Sequence, residues 1–235
     1  MGTSLFTRGS DKILRKLGLG GNFKRGEIKD DSLFNAISRE AADPSHKTQL
    51  EVGSSTGDGS TQAFLQGVRR NPSQPKLFCI EALKDRYNHL LERLKDTPNT
   101  FAFNVTAVPM QTNCTEKIVR EFTQIIPMGN VETVLSWSKE EHEYVAANEI
   151  PQNGIERIKR EHNVTNFDLV LLDGSEFAGL PELEAVYGAK TIIMDDVAVL
   201  KNHYGLLKLI YDPAYRLVES DMKLRNGYAV FKRVD

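Results

Sequence analysis

The chain has 235 residues, 40% hydrophobic and 26% charged, which suits one soluble globular domain of α/β size. A formal net charge of −2 gives no pull toward nucleic acid or an anionic membrane. No apolar run approaches membrane-spanning length, no signal peptide is visible, and Cys79 and Cys114 form no C-x-x-C pair; the expectation is a cytoplasmic protein with reduced thiols.

Residues 1–30 are locally basic, and Ile13, Leu14 and Leu17 are spaced for a short amphipathic helix ended by glycines at 18, 20 and 21. A second helix is predicted from about Asp31 to Ala42, ending before Pro44 because the residue before proline disfavours helical geometry. Residues 1–47 therefore read as a helical extension packed on a main domain over 48–235.

The stretch Gln49–Gln62, QLEVGSSTGDGSTQ, organises that domain. Leu50 and Val52 mark a buried strand, Gly53, Gly57 and Gly59 a flexible turn, and Ala63, Phe64, Leu65 and Val68 the apolar face of a helix. Glycine lacks a Cβ and tolerates positive φ, so backbone there can approach a ligand closely, and the helix start offers free N–H groups. The spacing excludes two common nucleotide loops. Gln62 replaces the third glycine of G-x-G-x-x-G, and no lysine lies between Lys47 and Lys76 to make a triphosphate loop.

Lys76–Glu81 is a second buried strand ending in an acid, Glu81, placed where one carboxylate can accept both hydroxyls of a ribose. A helix over about Lys84–Lys95 and a third strand over Thr100–Val108 follow, with Thr106 and Ala107 near its end. Residues 109–166 read as helices at Cys114–Ile126, Ser138–Asn148 and Gly154–His162, an insertion suited to a lid or substrate wall; Trp137 within it is read as packing, and His142 and His162 as surface. Phe167–Gly174, a helix over Glu176–Tyr187, Lys190–Asp196 and a helix over Val199–Tyr211 continue the alternation. Tyr215–Ser220 and Gly227–Arg233 lie too close in sequence for a parallel crossover and must pair antiparallel.

The turn E-x-G-x-x-x-G-x-G, Glu81, F-D-L-V-L-L-D-G, I-I-M-D-D and the closing hairpin together resemble the Rossmann-like S-adenosylmethionine-dependent methyltransferases over roughly Thr48–Arg233. The resemblance implies an α/β fold with a mainly parallel seven-stranded sheet, helices on both faces and a carboxyl-terminal antiparallel hairpin. It implies that Glu51, Gly53, Ser54, Ser55, Gly57, Gly59, Glu81, Ala82, Thr106, Ala107 and Asp173 bind S-adenosylmethionine, with Glu51 orienting its amino group directly or through water. Within the family, D-G on one strand and D-D on the next look like the metal-dependent O-methyltransferases of sugars and related small molecules. Asp173, Asp195 and Asp196 would then hold Mg²⁺ or Mn²⁺. Some relatives read D-G-D-H; here Ser175 and Glu176 stand there, so Glu176 is the first choice of catalytic base and His203 the second, beside Asp173. The acceptor expected is a small molecule or glycan rather than nucleic acid, and a homo-oligomer is compatible with the sequence but not readable from it. Other transferase chemistry on the same fold, or a noncatalytic cofactor-binding protein, are the alternatives.

Overall fold

The structure, a computed structural model, describes residues 28–126 and 128–234. The amphipathic segment around Ile13–Leu17 lies outside them. Helix α1 (Ser32–Ala41) starts at Asp31, whose carboxylate accepts the N–H of Phe34 at 2.8 Å and so satisfies one of the helix's unpaired donors. The alternation then runs β1 (Thr48–Val52), α2 (Ser60–Val68), β2 (Lys76–Ile80), α3 (Lys84–Leu94) and β3 (Thr100–Phe103). Helices α4 (Glu116–Ile125), α5 (Val131–Ala147) and α6 (Gly154–His162) precede β4 (Leu169–Leu172). The chain closes with α7 (Gly179–Val186), β5 (Thr191–Asp195), α8 (Leu200–Ile210), β6 (Tyr215–Asp221) and β7 (Tyr228–Arg233).

The strands form one seven-stranded sheet in the order β3-β2-β1-β4-β5-β7-β6. Strands β1 to β5 run parallel to one another, and β7 is antiparallel to both β5 and β6. The hairpin and the mainly parallel sheet are as the sequence predicts. The fold follows from strands buried on both faces. In β4, Leu169 and Leu171 point to one layer with Ile37 of α1, Phe64 of α2 and Leu90 of α3. Val170 and Leu172 point to the other, with Ile155 and Ile158 of α6, Leu183 of α7 and Leu209 of α8.

Several boundaries differ from the sequence reading. Strand β3 stops at Phe103, because Asn104 turns its amide to donate to the carbonyls of Glu81 and Ala82, both at 2.9 Å. Helix α5 begins at Val131, not Ser138, capped by Asn130, which accepts the N–H of Glu132 at 2.8 Å. His162 does not simply face solvent: its ring lies 4.7 and 4.9 Å from those of Phe78 and Phe101. The helix after β4 starts at Gly179, which leaves Glu176 in a loop at the sheet's carboxyl edge.

Gly179 is also a point of close packing. A Cβ built at Gly179 would lie 1.7 Å from the carbonyl oxygen of Lys201, so α7 and the first turn of α8 are in backbone contact. Gly179→Ala should therefore overpack this crossing and cost about 1–3 kcal/mol. Urea unfolding checks this, and an unchanged midpoint would contradict the packing account.

Candidate functional site

Parallel strands deliver the residues after β1, β2, β4 and β5 to one edge of the sheet. After β1 the chain turns at Gly53, with φ of +86°, and the N–H groups of Gly53 and Ser54 both donate to the carbonyl of Ile80 at 3.0 Å. A Cβ at Gly53 would sit 2.0 Å from the carbonyl oxygen of Asp173, so only glycine lets the β1 and β4 ends meet. Ser54 is buried and its carbonyl accepts the N–H of Gly57, itself at φ of +80°. Gly59 caps α2.

Glu51 lies fully buried under this loop. Its two oxygens accept the hydroxyls of Ser60 at 2.6 Å and Thr61 at 2.7 Å. Burial pushes its carboxyl upward, against the opposing pull of those hydroxyls. Glu51 has no exposed surface and both its oxygens are held by α2, so it braces the loop from beneath.

Glu81 is the second buried acid. One oxygen accepts the N–H of Leu83 at 2.7 Å and the other the N–H of Ser55 at 2.8 Å, so it fixes the glycine loop against the end of β2. Burial is the main cause of its raised pKa, and Asp173 adds to it. Each carboxylate oxygen retains a further lone pair, so the group can still accept two ligand hydroxyls. Ala82 is half-buried beside it. The carbonyls of Thr106 and Ala107, both buried, accept the N–H groups of Gly154 at 2.8 Å and Ile155 at 3.0 Å, which anchors α6 beside the loops.

Asp173, Asp195 and Asp196 come together as expected, with carboxylate oxygens within 4.8 Å of one another. Cations already lie among them. Lys201 Nζ is 2.8 Å from Asp173 Oδ1 and 2.7 Å from Asp196 Oδ2. Arg225 Nη2 is 3.3 Å from Asp195, while its Nη1 pairs with Asp31, and Asn226 donates to Asp196 at 2.9 Å. Burial and the neighbouring Asp173 and Asp196 push Asp195 up to about 7. Asp196 is also pushed up by burial, but Lys201 and Asn226 outweigh this and hold it low. Burial would deprotonate Lys201, yet Asp173, Asp196 and Glu176 keep it firmly cationic.

The three carboxylates are hard oxygen donors of the kind Mg²⁺ and Mn²⁺ prefer. They do not fit such an ion as arranged here. The ammonium of Lys201 bridges two of the three, and a divalent cation beside it would meet strong like-charge repulsion at that range.

Glu176 accepts the backbone N–H of Lys201 at 3.3 Å. Burial pushes its carboxyl to about 7, Lys201 pulls it down, and Asp196 and Asp173 push it further up. His203 is placed differently, its ring edge-on to Phe122 at 5.2 Å and to Tyr204 at 5.8 Å. The structure thus gathers Asp173, Glu176, Asp195 and Asp196, and sets His203 against an aromatic surface.

Three participants escape the sequence reading. Lys201 is one; its signal is a cation in the first turn of a helix, where the helix dipole disfavours it unless an acid is near. Glu141 of α5 accepts the hydroxyl of Ser175 at 2.8 Å and so ties the inserted helix to the loop after β4. Glu182 of α7 is buried, one of its oxygens has no hydrogen-bond partner, and burial pushes its carboxyl to about 8.

A carboxyl protonated in the folded chain but ionised when unfolded contributes stability below its unfolded pKa. That contribution is lost as pH rises through the folded value. For Glu182 the window runs from its ordinary value of 4.5 to about 8. Glu182→Gln should therefore raise the melting temperature relative to wild type more at pH 8 than at pH 5. Thermal unfolding at both pH values tests this, and an equal shift at both would contradict it.

No protein-family model matches the sequence, and no curated protein matches it. Among solved structures, an O-methyltransferase from Bacillus cereus in complex with SAH (S-adenosylhomocysteine) superposes with a TM-score of 0.55 at 9% identity, covering 95% of this chain and 90% of that one. A methyltransferase from Geobacter sulfurreducens gives a TM-score of 0.53 at 12% identity, over 100% of this chain and 92% of that one. The SAH-bound methyltransferase of Podospora anserina gives 0.50 at 10% identity, with both chains covered completely. With the strand order and closing hairpin already described, these likenesses show that the chain has the Rossmann-like methyltransferase fold.

Proposed function

We propose that this protein transfers a methyl group from S-adenosylmethionine to a hydroxyl of a small polar acceptor, a sugar or glycan or a related molecule. The observation that carries the proposal is the joint of the glycine loop with Glu81: a close-approach turn and a buried carboxylate, bonded to each other at the carboxyl ends of β1 and β2. Glu81 would accept the ribose hydroxyls. The backbone of Gly53, Ser54, Ser55, Gly57 and Gly59 would face the amino-acid end, braced by Glu51, with Ala82, Thr106, Ala107 and Asp173 around it. Two of the similar structures, from Bacillus cereus and Podospora anserina, hold SAH, the demethylated form of this cofactor, which supports the reading.

The cofactor supplies an electrophilic methyl group; the chain must place an acceptor oxygen and remove its proton. Glu176 suits the second task, because a base with a pKa near the working pH combines availability with driving force. Asp173 and Asp196, held by Lys201, would accept hydrogen bonds from acceptor hydroxyls. His203 is the second choice of base. Residues 109–166 would wall the acceptor side, an arrangement supported by the Glu141–Ser175 bond and by the N–H of Cys114 donating to the carbonyl of Phe177 at 2.8 Å. No membrane-crossing helix is present among the described residues.

Transfer of label from methyl-labelled cofactor to a panel of hydroxylated acceptors tests the proposal and separates it from a noncatalytic role or other chemistry. Glu81→Ala should weaken S-adenosylhomocysteine binding by about 1.5–3 kcal/mol in calorimetry; full affinity would remove Glu81 from the ribose site. The rate with wild type should rise with pH through about 7 as Glu176 loses its proton. Glu176→Gln should lower kcat by about a hundredfold or more and abolish that limb. A variant with wild-type kcat would leave His203 or another group as the base.

A further inference from the structure

The residues of the acidic cluster match a divalent-cation site in type and number, yet a lysine lies among them. Lys201 is not a surface residue that has folded inward by chance. Its side chain is only 12% exposed, and burying an ammonium is costly unless its charge is met. Here it is met twice, at 2.8 Å by Asp173 and at 2.7 Å by Asp196.

The backbone that carries Lys201 is fixed on three sides. Its carbonyl lies against Gly179 of α7, closely enough to forbid a Cβ there. Its N–H donates to Glu176. The next residue, Asn202, is fully buried and donates to the carbonyls of Leu172 at 3.0 Å and Asp195 at 2.6 Å, which pins the first turn of α8 to the ends of both β4 and β5. The ammonium therefore reaches the acids from a turn that several independent contacts hold in place.

We propose that Lys201 is the built-in cation of this site, a positioning residue that holds Asp173 and Asp196 together where a divalent ion would otherwise be needed. Arg225 does the same for Asp195 from the hairpin side. The acids keep a fixed geometry toward an acceptor, and turnover requires no added metal. This rests on the functional reading above for its consequence in turnover, but the claim about cation occupancy stands on geometry alone.

The experiment is a Mn²⁺ titration of the purified full chain followed by electron paramagnetic resonance, in which free Mn²⁺ gives the signal and bound ion loses it. Wild type should leave the signal unreduced, and Lys201→Gln should gain one stoichiometric Mn²⁺ site because a like charge at contact range has gone. Asp195→Asn in the Lys201→Gln background should abolish the gained site. A stoichiometric Mn²⁺ site in wild type would overturn the proposal, as would a folded Lys201→Gln variant that gains none. Should Lys201→Gln not fold, Lys201→Met takes its place and wild type remains decisive alone. Loss of S-adenosylhomocysteine binding with this pattern intact would defeat the functional reading only. Cofactor binding with a wild-type Mn²⁺ site would defeat this inference only.

Discussion

Parallel strands concentrate acidic residues at one edge, and acids in one place repel. The ion pairs of Lys201 with Asp173 and Asp196 offset that repulsion, and much of the site's architecture depends on them. Asp173 follows β4 and Asp196 follows β5, so the same ammonium joins the ends of two neighbouring strands. Asp195 and Glu176, with carboxyls pushed to about 7, add only part of their charge to that edge at neutral pH.

The hairpin and the first described helix extend this balance. Arg225, in the turn between β6 and β7, reaches Asp195 with one arm and Asp31, the cap of α1, with the other. Elsewhere on α1, Glu40 pairs with Lys232 of β7 at 2.8 Å and Arg39 with Glu219 of β6 at 2.7 Å. His46, just past α1, bonds the carbonyl of Glu40 and the hydroxyl of Thr191, so Glu40, Asp43 and His46 form a structural junction rather than a metal site. The antiparallel strands thus serve the edge of the sheet as well as closing it.

The fold was legible because its central strands are continuous apolar runs, buried on both faces, and its helices carry one apolar face. Residue pairs such as Leu169 and Val170 belong to opposite layers, a pattern visible in sequence once the strand is placed. The acidic group was legible too, since Asp173 and Asp195 end neighbouring strands. Lys201 was not, because its role depends on a side chain reaching across from a helix, and sequence shows only that a lysine follows the aspartates. The start of helix α5 is hidden in sequence because Val131, Val134 and Leu135, which pack in a separate apolar cluster, precede the charged stretch that marks the helix. Glu51 was placed by its motif position, whereas Ser60 and Thr61, nine and ten residues on, determine where its oxygens point.

On the proposed function this carboxyl edge holds a nucleoside cofactor, and its own cations, Lys201 and Arg225, offset the charge of its acids. The most direct measurement is a crystal structure grown with S-adenosylhomocysteine and Mn²⁺ together. The account predicts the nucleoside between the glycine loop and Glu81, with Lys201 still bridging Asp173 and Asp196 and no metal between them. An edge without the nucleoside, or Mn²⁺ on the three aspartates with Lys201 displaced, would contradict it.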